Sequence, residues 1–445
     1  MTHLLEIKFF MHKIYHYLIS LFSYLYYGRP SRKLIVVGVT GTKGKSTSCR
    51  FVGSVLEAGG YKVGILSTVE FQIGDDRKLN DKKMTMLGRG EIQKYLQKMV
   101  KAGCQYAVIE TSSEGILQYR HKFLNYDIAV FTNLSPEHIE AHGSFENLKR
   151  DKGKLFKELR NNKKINGQKI KKVIIANGDD KNVEYYLDFK ADEKYVFGMG
   201  VLEKFSKVKH VLADNIGCRI DQNSFEVEDT QFNLKIAGDF NIYNALAGVA
   251  VGRSQNIPDE KMKQGIESVK LVEGRMEFID EGQNFKVIVD YAHEPLSLKE
   301  LFSSLRSILN IDVRTYVRTS GKIISIVGSD GGGRDISKRE KMGEISGEKS
   351  DIVIITEVNP FDESPDEIAD MIKKGAIKAG NIEGQDLFVI NDRSKAIKKA
   401  FSMAREGDIV VLTAKGTEPW IVKAGGLKEA WDDRVKAREI LKDLK

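Results

Sequence analysis

Leu34-Ile35-Val36-Val37-Gly38-Val39-Thr40-Gly41-Thr42-Lys43-Gly44-Lys45-Ser46-Thr47 is the stretch on which the fold turns. An apolar, β-branched run ends at Gly41. Helical spacing then takes over from 46 to 58 and stops at Gly59-Gly60. A buried strand, a glycine loop and a helix in that order predict a parallel α/β sheet. The loop predicts a phosphate site. Gly41 and Gly44 let the backbone close around an anion, and the helix N-terminus aims N–H groups and a positive dipole at it. Lys45 would reach the terminal phosphates and Ser46 would offer its hydroxyl to magnesium, with Thr42, Lys43 and Thr47 completing the wrap. The usual P-loop spacing calls for a glycine five positions before Gly44, where Val39 stands.

Outward from this loop the same alternation continues. Strands are expected at 61–67, 105–110, 127–134 and 171–177, and helices at 91–102 and around 241–252. A second series starts near Val272, with strands at 286–292, 322–328, 351–356, 386–391 and 408–414. The expected fold class is α/β: an aromatic helical segment over 1–32, a P-loop parallel-sheet ATPase domain over 33–271, and a Rossmann-like α/β domain over 272–445. No internal repeat or low-complexity tract interrupts the series.

Composition narrows the function classes. The chain has 445 residues, 41% hydrophobic and 30% charged, which suits two or three globular domains. Its net charge of +8 reflects a lysine-rich solvated surface or attraction to phosphorylated, acidic substrates. No nucleic-acid-binding motif accompanies that charge, so nucleic acid is not an expected partner. Cys49, Cys104 and Cys218 are scattered and form neither a metal cluster nor a disulfide framework, as in a reducing cytoplasm. Residues 9–27, FFMHKIYHYLISLFSYLYY, are aromatic and apolar but broken by His12, Lys13 and His16. They lack a small-residue cleavage site, and their apolar part is shorter than the roughly 20 residues a span requires. Two roles stay open: a helix packed on the protein body, or peripheral contact with a membrane surface.

Several strings, in order along the chain, resemble the Mur ligase family, whose superfamily includes folylpolyglutamate synthases. Residues 40–47, TGTKGKST, are similar to its TGTNGKTT loop, with Lys43 in place of asparagine. Glu110-Thr111-Ser112-Ser113 resembles E-x-S-S-H, with Glu114 replacing the histidine. A carboxylate at a strand tip can hold the metal that bridges ATP phosphates. The resemblance implies substrate contacts at Thr111, Ser112, Ser113 and Arg120. Residues 131–156 resemble FTNLSxDHLDxHGxxxxYxxxK, which implies a second magnesium site at His138. Lys152 then matches a lysine that the family carbamylates into an anionic metal ligand. Residues 238–244 are similar to G-x-F-N-x-x-N, implying nucleotide contact at Asn244. V-E-G-R-M-E and D-Y-A-H-E-P imply the same for Arg275 and Asp290, and a planar guanidinium suits phosphate oxygens.

Farther on, Gly331-Gly332-Gly333-Arg334-Asp335 with Lys338-Arg339 resembles G-G-D-R-D…K-R, implying that Arg334 clamps an amino-acid carboxylate. Ala414-Lys415-Gly416-Thr417-Glu418 is similar to G-K-G-H-E, implying that Glu418 holds an ammonium. Val358-Asn359-Pro360-Phe361 stands where diaminopimelate-adding members carry D-N-P-R. Asn359 is retained, while Phe361 removes a bidentate partner for a second carboxylate. Lysine and other amino acids are equally open.

The resemblance implies an ATP- and Mg2+-dependent acid–amino-acid ligase of peptidoglycan precursor synthesis, nearest to the branch that adds a third residue to UDP-N-acetylmuramoyl-dipeptide. An acceptor carboxylate would attack the γ-phosphate, and a free amino acid would then displace phosphate from the acyl-phosphate. Lys45, Glu110, His138 and Lys152 form the implied catalytic set; Ser46, Glu110, His138 and Lys152 are the implied magnesium ligands. A cytoplasmic monomer acting on small molecules is expected. The segment before the first strand is too short for the family's UDP-binding domain, so UDP recognition is reduced or the acceptor is another carboxylate carrier. Two rivals are a folylpolyglutamate-synthase-like ligase and a non-catalytic, membrane-associated P-loop ATP-binding module.

Overall fold

In the computed structural model of the chain, residues 2–82, 84–136, 142–160, 162–200, 205–218, 222–309, 321–333 and 336–444 are described, those before residue 14 as backbone alone. His138 and Arg334 therefore lie outside the described residues. Internal contacts divide the chain into two units, Met1–Cys218 with Gln222–Lys270, and Leu271–Lys445.

The first unit is built on one sheet. Its strands are β1 (Ile35–Thr40), β2 (Val63–Leu66), β3 (Glu70–Ile73), β4 (Asp76–Leu79), β5 (Tyr106–Glu110), β6 (Ile128–Phe131), β9 (Val173–Asn177), β10 (Glu193–Gly198) and β11 (Lys209–Leu212), with the small hairpin β7 (Lys164–Ile165) and β8 (Gln168–Lys169) standing apart. The spatial order is β11-β10-β9-β6-β1-β5-β2-β3-β4. β1 pairs in parallel with both β5 and β6; the chain runs from β1 to β2 on one side of it and from β5 back across to β6 on the other. The loop after β1 thus opens at a topological switch point, where α/β sheets bind ligands. β5, β6 and β9 are buried along their whole length, which explains their unbroken apolar sequences.

Helix Lys45–Ala58 follows the loop and packs on helix Phe240–Ser254. The approach is close: a Cβ on Gly248 would stand 3.1 Å from the backbone carbon of Phe51. The antiparallel hairpin of β3 and β4 and a three-stranded antiparallel sheet of Asp214–Cys218, Asn223–Val227 and Thr230–Leu234 add to the sequence expectation. These strands are short and half-buried, so their signal is a brief alternation rather than an apolar run.

The N-terminal helix Thr2–Tyr26 packs on the loop 118–126. Ser20 Oγ donates to the Tyr119 carbonyl at 3.0 Å, and the Tyr24 ring stacks on Phe123 at 5.5 Å. Tyr119, Phe123 and Asn125 in that loop have φ of 58, 61 and 49°, a left-handed conformation costly for side-chain-bearing residues. His121 lies buried among them, with neither ring nitrogen hydrogen-bonded among the described residues. Burial, with the charges of Lys122 and Lys154, pushes its pKa down to about 3.

The second unit holds a six-stranded sheet of Glu277–Ile279, Lys286–Val289, Ile409–Leu412, Ile323–Val327, Ile352–Ile355 and Leu387–Val389, in that spatial order. Five strands are parallel and Glu277–Ile279 is an antiparallel edge. Each expected run contains an observed strand with its ends released into loops, as at Asp290 and Ala414. The bidentate pair of Arg393 with Asp433, at 2.8 and 2.6 Å, is fully buried and ties the last helix to helix Arg393–Met403.

The buried imidazole predicts a pH dependence of stability. The unfolded ring takes a proton near its ordinary value of about 6.5, whereas the folded ring refuses it until about 3. The stabilisation is therefore complete above 6.5 and is lost as pH falls through that window. Urea unfolding of His121→Leu should show a shallower acid loss than the parent chain; parallel curves would refute the assignment.

Candidate functional site

The loop between β1 and helix Lys45–Ala58 is held by a far strand end. Asn133 Oδ1 accepts from the Lys43 amide at 2.9 Å, Thr132 Oγ1 donates to the Lys43 carbonyl at 2.7 Å, and the Thr42 amide donates to the Asn133 carbonyl at 2.9 Å. Gly44 caps the helix at φ 75°, and a Cβ there would meet Asn244 Oδ1 at 2.2 Å. At Gly41 a Cβ would stand 2.0 Å from Thr132 Oγ1. Only glycine fits either position. Asn244 Oδ1 also accepts from Ser48 Oγ at 3.1 Å, so it forms the floor of the loop.

Three charged side chains converge here. Glu110 ends β5 opposite Val39, is buried, and accepts from Ser46 Oγ at 2.8 Å and from the Thr68 amide at 2.7 Å. Lys45 Nζ donates to the Thr42 carbonyl at 2.7 Å. Lys152 is no solvated helix lysine: it is 4% exposed and its Nζ donates to the Gly41 carbonyl at 2.7 Å, across 111 residues of chain. A hydroxyl and a carboxylate side by side at a helix N-terminus form a donor set suited to magnesium. Two glycines whose Cβ positions are filled by neighbours fit a close-wrapped phosphate. Among the described residues no cluster of three or more His, Cys, Asp or Glu side chains is poised for a metal, so Ser46 and Glu110 stand as a two-ligand start. Cys49 lies beneath the loop, and burial with the charges of Glu110 and Glu70 holds its thiol well above the usual range. It is no nucleophile.

From Glu110 a polar path leads away from the loop. Thr68 Oγ1 meets Thr85 Oγ1 at 3.0 Å, and the neighbouring Met86 carbonyl accepts from Arg120. Arg120 Nη2 donates to Gln118 Oε1 at 2.6 Å, and Arg89 Nη1 to the Gln118 carbonyl at 3.3 Å. Neither arginine makes an ion pair among the described residues, and each keeps a buried Nε without an acceptor. Burial lowers both guanidinium pKa values, and at Arg120 the charge of Arg89 lowers it further. The Glu114 carboxylate acts on Arg120 from nearby, and two neighbouring guanidiniums with unfilled buried Nε donors suit an anion. Thr111 turns inward, its hydroxyl on the Tyr126 OH at 3.0 Å; Ser112 Oγ caps helix Ser113–Leu117 through the Gly115 amide, and Ser113 is buried.

Sequence reasoning passed over Arg89, Thr132, Asn133 and His142. His142 Nδ1 lies 2.6 Å from Asp151 Oδ2, beside Lys152 on one helix. Burial would raise the Asp151 carboxyl, but hydrogen bonds from His142 and Lys154 carry it below its usual value. His142 sits in the same histidine-bearing string as His138, which was the available signal. No string marks Arg89.

In the second unit, Arg275 lies over the Tyr291 ring at 4.4 Å. Asp290 accepts from the Met276 and Ala292 amides at 2.8 and 2.7 Å, while desolvation pushes its carboxyl up against them. Asn359 Nδ2 donates to Asp330 Oδ1 at 2.7 Å and Glu418 Oε2 at 2.9 Å, and buried Lys415 donates to Asn359 Oδ1 and Glu418 Oε2 at 3.0 and 2.8 Å. Phe361 stands at φ 53° beside Gly332. Arg339 is buried on Glu363 at 2.8 Å and on the Asp330 carbonyl at 3.1 Å.

Comparison with known proteins gives two domain matches: the Mur ligase middle domain over residues 39–252, and the Mur ligase glutamate ligase domain over 274–416. A UDP-N-acetylmuramyl-tripeptide synthetase of Roseiflexus sp. (strain RS-1) is 36% identical over 430 residues, covering 94% of this chain and 81% of that one. A UDP-N-acetylmuramoyl-L-alanyl-D-glutamate--2,6-diaminopimelate ligase of Clostridium botulinum is 33% identical over 436 residues, covering 96% and 82%. Among solved structures, a Mycobacterium tuberculosis folylpolyglutamate synthase complexed with ADP and AMPPCP superposes with a TM-score of 0.65 at 15% identity, over 89% of this chain and 92% of that one. That likeness concerns the fold alone.

Gly44→Ala should force φ and Asn244 apart together. The expected cost is about 1–3 kcal/mol of stability, with ATP affinity, read by isothermal titration, falling at least about tenfold. Unchanged affinity would mean that the loop does not cradle phosphate.

Proposed function

This chain belongs to the Mur ligase family, whose members are ATP-dependent amide-bond-forming ligases, and from that premise we propose that it joins a free amino acid to a UDP-N-acetylmuramoyl-peptide-type carboxylate. The observation that carries the proposal is Glu110 on Ser46 at 2.8 Å, inside a loop that only glycine can form. Ser46 and Glu110 would hold magnesium, which neutralises charge building on transferring phosphoryl oxygens. His138 and a carbamate on Lys152 are proposed as further ligands by family likeness alone. Lys45 would leave the Thr42 carbonyl for the phosphates, and backbone amides of 42–47 would hold the oxygens in place.

The arginine pair defines the acceptor end. Arg89 and Arg120 would orient an anionic group of the acceptor apart from its reacting carboxylate. In the second unit Glu418 and Asp330, bridged by Asn359, would receive the amino acid's ammonium. Phe361, in place of arginine, favours a side chain without a second carboxylate. Arg275 and Asp290 are proposed nucleotide contacts. The residue ranges 33–271 and 272–445 would carry nucleotide and amino acid respectively, on the cytoplasmic side of the cell.

An ADP-release assay with UDP-N-acetylmuramoyl-L-alanyl-D-glutamate and a panel of amino acids tests the proposal. ADP should appear only when both substrates are present, and Lys45→Ala or Glu110→Gln should reduce kcat by about a hundredfold or more. Silence across the panel from folded, ATP-binding protein would reject it. Arg89→Gln should raise the acceptor KM about tenfold with little change in that for ATP; equal changes in both would remove Arg89 from the acceptor site.

A further inference from the structure

We propose that the N-terminal helix is a membrane-surface docking element whose partner is an anionic phospholipid interface. Its amphipathicity runs against its packing. The inward face is His16, Ser20 and Tyr24, at 7, 2 and 7% exposure, whereas Ile14, Tyr15, Leu18, Phe22, Leu25 and Tyr26 face outward at 38 to 83%. Positions 14, 15, 18, 22, 25 and 26 follow helical spacing and form one apolar, aromatic stripe. A soluble helix buries such a stripe; this one offers it to solvent.

The surroundings state the chemistry of the occupant. Residues 14–33 contain no acidic side chain. Arg29, Arg32 and Lys33 follow the helix, are exposed, and make no ion pair among the described residues. The adjacent helix Arg89–Lys101 turns Lys94, Lys98 and Lys101 outward, against Glu91 as its lone acid. Tyrosine and phenylalanine beside basic residues suit the headgroup layer of an anionic bilayer. No helix of the described residues is long and apolar enough to cross a membrane, so the stripe would lie in the interface rather than span it. The docking face also borders the start of the helix that carries Arg89: Ser23 Oγ lies 3.6 Å from where a Cβ on Gly90 would stand.

The test is flotation of the full chain with vesicles of phosphatidylcholine, with and without phosphatidylglycerol, at low and high salt. The chain should float with the anionic vesicles at low salt and weaken in high salt. Phe22→Ser with Leu25→Ser should cut binding about tenfold or more while ADP release in vesicle-free buffer is retained, since both side chains are exposed and stand outside the proposed substrate sites. Failure to float, or binding unchanged in the double variant, overturns the proposal. So does a concentration-dependent dimer that the double variant dissociates without any vesicle binding, which would make the stripe a contact between two copies. Because ligase activity is read separately, loss of either proposal leaves the other standing.

Discussion

Glu110 and Ser46 meet because β5 lies beside β1 in a single register, with Val39 opposite Glu110. Side chains alternate along a strand with a period of two, so a slip of one residue would turn Glu110 to the other face of the sheet and leave a buried carboxylate without donors. The same carboxylate accepts from the Thr68 amide, which carries the order on to Thr85 and to the carbonyl that holds Arg120. The glycine loop and the arginine pair are thus ordered by one strand pairing.

Around that pairing, cations are anchored on backbone carbonyls. Lys45 rests on Thr42 and Lys152 on Gly41, both within the loop itself. Arg89 and Arg120 likewise rest on the carbonyls of Gln118 and Met86. The second unit is organised differently: buried Lys415 lies on Glu418 and Asn359, so its ammonium is paired within the unit.

Much of this was legible in the sequence where a feature is local. The strand–glycine–helix passage at 34–58 and the apolar runs of the parallel strands are set by neighbouring residues, and the structure follows them closely. The antiparallel strands of 214–234 were not legible, because each is stabilised by its partner across the ladder rather than by its own composition. Arg89 was hidden for a related reason. On a helix start it reads as an ordinary solvated cation, and only the placement of Gln118 and Arg120 gives it a task. Lys152 was visible through its string, yet its burial could not be read from a helix crowded with lysines.

Asn244 gives the phosphate loop a floor that arrives late in the chain. Its contact with Ser48 spans 196 residues, although every group that would touch a phosphate through residue 47 is made much earlier. A polypeptide ending short of Asn244 would hold the complete loop sequence with nothing beneath Gly44. Nucleotide recognition therefore belongs to the closed unit and not to the local motif. Bound ATP would in turn act as a clasp on that closure, stabilising the whole first unit by mass action.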